Sequence, residues 1–135
     1  MSAGTAERLG LRAAPWLLWF GVLGGSVAWS LHTVVDWGLE DTVCRSGHDE
    51  VLGLPLRPVL GVLALVFLAL SAASTAAAYV LWRRLSAAPA DDDRARLRQG
   101  RAAFMALVGL VADVLFTLMV LMSAVAVWII PVCAP

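Results

Sequence analysis

Lysine is missing from this chain and charge of either sign is scarce. Ten arginines face ten acidic residues, and 15% of the 135 residues are charged. With a net charge of zero, nothing in the composition points to nucleic-acid binding, and no nucleic-acid partner is expected. No P-loop, GxSxG, HExxH, Ser-His-Asp order or glycosidase-type carboxylate pair is present, so neither catalysis nor a resident cofactor is expected. The most informative absence is local: Ala13 to Val35, Pro58 to Trp82 and Ala102 to Pro135 contain one carboxylate between them, Asp113. A soluble helix would carry polar residues along its outer face, and these stretches have almost none.

What remains is apolar. Hydrophobic residues make up 61% of the chain, and each stretch exceeds the roughly 20 residues needed to cross a ~30 Å hydrocarbon layer. The expected fold is an all-α integral membrane three-helix bundle, one domain, with the lipid bilayer as its surroundings. Its spans are expected at about 15–37, 58–83 and 101–130, joined by an outer loop 38–57 and a cytoplasmic loop 84–100. Arg8 and Arg12 before the first span suggest a signal peptide, but its apolar stretch is too long for one and two spans follow, so a retained helix is expected.

Three crossings put Arg8, Arg12, Arg83, Arg84, Arg94, Arg96, Arg98 and Arg101 on one side and only Arg45 and Arg57 on the other. The positive-inside rule then predicts a cytoplasmic N-terminus and an extracytoplasmic C-terminus. Arginine used to the exclusion of lysine, with much alanine, accords with GC-rich bacterial coding, which places the expected location in a bacterial cytoplasmic membrane. Trp37 and Trp128 suit the outer interface; Trp16, Trp19 and Trp82 suit the inner one. Asp91, Asp92 and Asp93 precede the arginine series and read as the capped start of a helix, with Asp92 and Arg96 an i,i+4 pair.

Four groups of residues could carry chemistry. Cys44 and Cys133 both fall on the oxidising side, where a disulfide closing 89 residues would contribute up to ~4–5 kcal/mol by chain entropy in water, and less in a bilayer. The competing reading joins Cys44, His48, Asp49 and Glu50 with Cys133 as a metal site suited to copper or zinc, or as a redox site, without a recognised ligand spacing. On span one, Gly21, Gly25 and Ala28 form a small-residue face for close helix packing, continued by His32 and Asp36 at i,i+4. That pair reads as interhelical glue or as a group contacting protons or a partner's cofactor.

Asp113 is the costliest residue in the chain, since a charge at mid-membrane costs ~2.5–3.5 kcal/mol on insertion scales. It shares a face with Gly109 and Thr117. Span two offers a matching stripe of Gly61, Ala64, Ser71, Thr75 and Ala78. The expectation is either a protonated Asp113 hydrogen-bonded to Ser71, Thr75 or Thr117, or a proton path through it.

The run Trp19-Phe20-Gly21-Val22-Leu23-Gly24-Gly25-Ser26-Val27-Ala28-Trp29-Ser30-Leu31-His32, followed by Cys44, resembles a group of small three-helix bacterial membrane proteins encoded beside haem-copper cytochrome c oxidase genes. The group has Pro after the glycine pair where this chain has Ser26, and the likeness covers about a fifth of the chain. It implies an accessory or assembly role within a larger, oxidase-type membrane complex. The group has no established activity to transfer to particular residues. Two other classes stay open at this point: a proton-coupled transporter or channel built from oligomers, and an extracytoplasmic thiol-redox or copper-handling protein.

Overall fold

The structure, a computed structural model, describes residues 3–47, 50–87, 89, 92–131 and 133. In chain order these form α1 (Ala3–Ser46), β1 (Glu50–Val51), β2 (Leu54–Pro55), α2 (Leu56–Ala87) and α3 (Asp93–Ile129). All three helices are long and apolar enough to cross a membrane. At 1.5 Å per residue they measure about 66, 48 and 55 Å, each longer than a hydrocarbon core.

Each helix buries one narrow seam. On α2 it comprises Leu56, Leu60, Ala64, Ser71, Ser74, Ala78 and Leu81, and on α3 Ala106, Gly109, Asp113, Val120 and Val127. Steps of three, four and seven residues are the heptad pattern of left-handed helix packing. Outside the seam the surface is hydrocarbon: Val62 is 62% and Leu65 65% exposed, with Phe104, Met122 and Val34 similarly bare. The buried polar side chains His32, Asp36, Ser71, Ser74 and Asp113 lie in the seam among small and aliphatic residues, and the large exposed faces are apolar, the arrangement a lipid solvent favours.

Two boundaries differ from the sequence expectation. Residues 38–46, expected in the outer loop, continue α1. Their charges occupy one helix face, where the Arg45 guanidinium donates to Asp41 at 2.9 Å, while Val43 on the other face joins Leu56, Leu60 and Val127 in an apolar cluster touched by Leu39 and Val51. α1 ends where Gly47 adopts φ +69° and its N–H reaches the Cys44 carbonyl. Further along the expected loop, Glu50–Val51 and Leu54–Pro55 form a hairpin with a two-residue turn, Val51 pairing with Leu54, and α2 begins at Leu56. Leu52 and Gly53 both have positive φ, as a type I′ turn requires. Pro58 falls in the first turn of α2, as expected.

Likewise the loop expected at 84–100 is mostly helix: α2 runs to Ala87 and α3 starts at Asp93. Asp92 caps α3 by accepting from the Ala95 N–H at 2.5 Å, so its carboxylate serves the helix end and makes no ion pair with Arg96 among the described residues. Gln99 Nε2 donates to the Leu85 carbonyl, tying the two helices beside their connector. Asp91, His48 and Asp49 lie outside the described residues.

Glycine sets how closely the helices approach. A Cβ on Gly21 would lie 3.0 Å from the Ala78 backbone, and one on Gly109 would lie 2.9 Å from Val22 Cα and collide with the Gly21 carbonyl. Gly109→Val should therefore push α3 from α1 and lower stability by about 1–3 kcal/mol. Gly100→Ala, with nothing within 4 Å of the added methyl, should be neutral or stabilising by up to ~1 kcal/mol. Thermal unfolding in detergent checks both, and coincident melting curves for Gly109→Val and wild type would contradict this packing.

Candidate functional site

Two polar layers occupy the bundle interior, and they differ in one respect that matters. In the deeper layer every hydrogen has an acceptor. Asp113 is fully buried, as are Ser71 and Ser74. The Gly25 N–H donates to Asp113 Oδ1 at 3.0 Å, an approach possible because Gly25 has no Cβ; one built there would collide with that oxygen. Ser74 Oγ lies 2.5 Å from Asp113 Oδ2 and 2.8 Å from the Phe20 carbonyl.

A serine hydroxyl has a single hydrogen, and the Phe20 carbonyl can only accept. Both contacts are satisfied when the carboxyl of Asp113 carries a proton and donates to Ser74, which in turn donates to Phe20. The neighbouring hydroxyls continue the same directed order. Thr117 donates to the Asp113 carbonyl at 2.7 Å, leaving Ser71 to donate to Thr117 Oγ1 at 2.7 Å, and Thr75 donates to the Ser71 carbonyl at 3.0 Å.

This corrects the expected partner of Asp113. Its carboxyl meets Ser74 and the Gly25 amide, whereas Ser71, Thr75 and Thr117 form a separate hydroxyl cluster one turn toward the hairpin end. Ala64, Ser71 and Ala78 of the expected α2 stripe are buried, and its other two positions shift by one residue. Leu60 and Ser74 are buried where Gly61 and Thr75 were anticipated, and Gly61 instead lies under the Trp128 ring. Ser74 could have been found from the step of three residues after Ser71 and four before Ala78, the heptad alternative to a constant step of four.

The second layer is incomplete. His32 is 1% and Asp36 9% exposed. Nδ1 of His32 lies 3.0 Å from Asp36 Oδ2 as an ion-pair contact, while His32 Nε2 and Asp36 Oδ1 are buried with no hydrogen-bond partner. The ring stacks on Phe67 at 5.5 Å. Leaving such groups unpaired costs on the order of 1–3 kcal/mol each. Beside Asp36 a cleft of about 340 Å³ opens between α1 and α3, lined among others by Thr33, Trp37, Glu40, Ser123 and Cys133.

Over that cleft Cys44 and Cys133 stand at disulfide distance, their Cα atoms 5.3 Å apart. The bond ties the end of α1 to the segment after α3 and consumes the thiols that a copper site would need. Ala28 is buried and Gly21 and Gly25 lie in the helix contacts, as anticipated for this face. No three His, Cys, Asp or Glu side chains converge as a metal-ligand set among the described residues.

The chain matches no protein-family model, no curated protein and no solved structure.

Asp113→Asn, a neutral isostere with an acceptor and a donor in the same places, should stay within about 1 kcal/mol of wild-type stability, whereas Asp113→Ala should cost about 1–3 kcal/mol by stranding Ser74 and the Gly25 amide. Ser74→Ala should cost more than Thr75→Ala. Denaturation in detergent measures these losses. Infrared spectroscopy should show a protonated-carboxyl band that disappears in Asp113→Asn, and a carboxylate band in its place would refute the proton inventory.

Proposed function

We propose that this chain is a non-catalytic accessory or assembly subunit of a larger respiratory membrane complex of cytochrome oxidase type. It sits in a bacterial cytoplasmic membrane with its N-terminus inside and its C-terminus outside. One observation carries the reading: Asp113, the group best suited to conduction, is enclosed in a hydrogen-bond circuit whose hydrogens are all used. A carboxyl in that state holds helices together and offers no free site to a passing ion.

Three features support the same reading. The outward faces are long and apolar, the disulfide fixes the outer end as one shape, and the arginines are divided eight to two between the two ends of the bundle. A transporter would need a hydrated route to Asp113, and a thiol-redox protein would need free thiols. Neither requirement sits comfortably with the arrangement described.

Purification from native membranes in a mild detergent, followed by mass spectrometry, should recover haem-bearing polypeptides in stoichiometric amounts. A homo-oligomer lacking them, with ion flux that Asp113→Asn abolishes, would sink the reading. A membrane-impermeant thiol reagent added to intact cells should label neither cysteine before reduction and both after it. Labelling of the two from opposite compartments would overturn the orientation.

A further inference from the structure

The deep layer of the bundle is complete in itself, and the outer layer is not. The unsatisfied oxygen of Asp36 lies about three turns before the end of α1, on a residue that lines the cleft, with His32 one turn deeper. Asp36 lines that cleft, is nine-tenths buried, and has a carboxylate oxygen without a hydrogen-bond partner. Glu40, one helical turn further on, lines the same wall. The opposing wall, from α3, has no charged residue at all: between Ala102 and Pro135 the single ionisable group besides Cys133 is Asp113, far down the helix.

Of the two arginines among the described residues at this end of the bundle, Arg45 is held by Asp41 at 2.9 Å and Arg57 does not line the cleft. Among the described residues the acidic pair therefore has no counter-ion beyond the neighbouring imidazole of His32.

We propose that this cleft is a binding site for a guanidinium or ammonium side chain, an arginine or lysine presented by the partner polypeptide. The inference rests on the accessory-subunit reading above and names the contact through which docking occurs.

Several features select this chemistry. Two carboxylates one turn apart on a helix present oxygens along an edge that a planar guanidinium can span with paired N–H donors. Trp37, 69% exposed on the same rim, offers an aromatic face to the cation. The hydroxyls of Thr33 and Ser123 add acceptors. A bare metal ion is less well served, because no three ligating side chains converge there among the described residues. At the end of an apolar span, a long basic side chain can reach such a site along its own aliphatic stem without exposing charge to lipid.

The test has two arms. In the first, the full chain is placed in phosphatidylglycerol nanodiscs, which supply no ammonium group, and N-acetyl-arginine amide is added while the tryptophan indole N–H signals are followed by NMR. The Trp37 signal should shift saturably in the millimolar range, and Glu40→Gln should weaken binding about tenfold, as loss of one charged acceptor implies. The absence of a Trp37 shift, or an equal response in Glu40→Gln, overturns the cation site.

In the second arm, wild type and Glu40→Arg, each verified to form the Cys44–Cys133 bond by gel shift, are purified from native membranes. Wild type should retain its partner and Glu40→Arg should lose it. Retention by Glu40→Arg refutes the docking role even if the accessory reading stands. A wild-type protein without a partner refutes the accessory reading, and the titration then judges the cation site by itself. Adding phosphatidylethanolamine separates the remaining source of an ammonium group: if that lipid blocks the titration and Glu40→Arg keeps its partner, the site belongs to a headgroup and the proposal fails.

Discussion

Placing a carboxyl where nothing outside the protein can solvate it is the constraint around which the bundle is arranged. Asp113 needs an amide hydrogen and a hydroxyl, and both must come from other helices. The amide is reachable only because residue 25 has no side chain, and the hydroxyl only because α2 presents Ser74 at the same depth. Glycines at 21 and 109 then let the three backbones close to the distance those bonds demand. A small-residue face, a buried acid and a row of hydroxyls are thus three parts of one solution to the loss of water.

The bundle is layered along its axis. The glycine contacts come first, then the Asp113 circuit, the hydroxyl cluster, the His32–Asp36 pair, and finally an aliphatic cap of Val43, Leu56, Leu60 and Val127 under the disulfide. Polar satisfaction is complete in the middle of this series and breaks off near its outer end. In lipid, dispersion and hydrogen bonding, and not the hydrophobic effect, hold helices together, and in such a medium the satisfied layers and the glycine contacts would supply the cohesion. The unsatisfied one is where the molecule has capacity for something else.

Much of this was readable in the residues. Three uncharged runs defined the spans, the glycine spacing on span one marked the contact face, and the oddity of a lone intramembrane acid identified the centre. What could not be read was phase. Ser74 and Thr75 are equally plausible hydroxyls, and only the half-residue difference between a step of 3.5 and a step of four decides which one points inward. Composition also misled at the span ends. Glu40, Asp41 and Arg45 look like loop residues, yet the apolar pair Leu39 and Val43 on the opposite face keeps α1 helical as far as Ser46. The cleft is a property of two helices whose walls lie some ninety residues apart, and no local pattern announces it.

The link between Cys44 and Cys133 makes everything from the last turn of α1 to the residues just beyond α3 a covalent ring, with most of α1 outside it. A single break in the short connector before α3, where Pro89 stands, would open that ring without releasing a fragment. The two helical pieces would remain tethered at the far end of the bundle and held at an effective concentration that favours their re-association. The sulfur bridge is thus a second covalent connection between the pieces, independent of the backbone at that point.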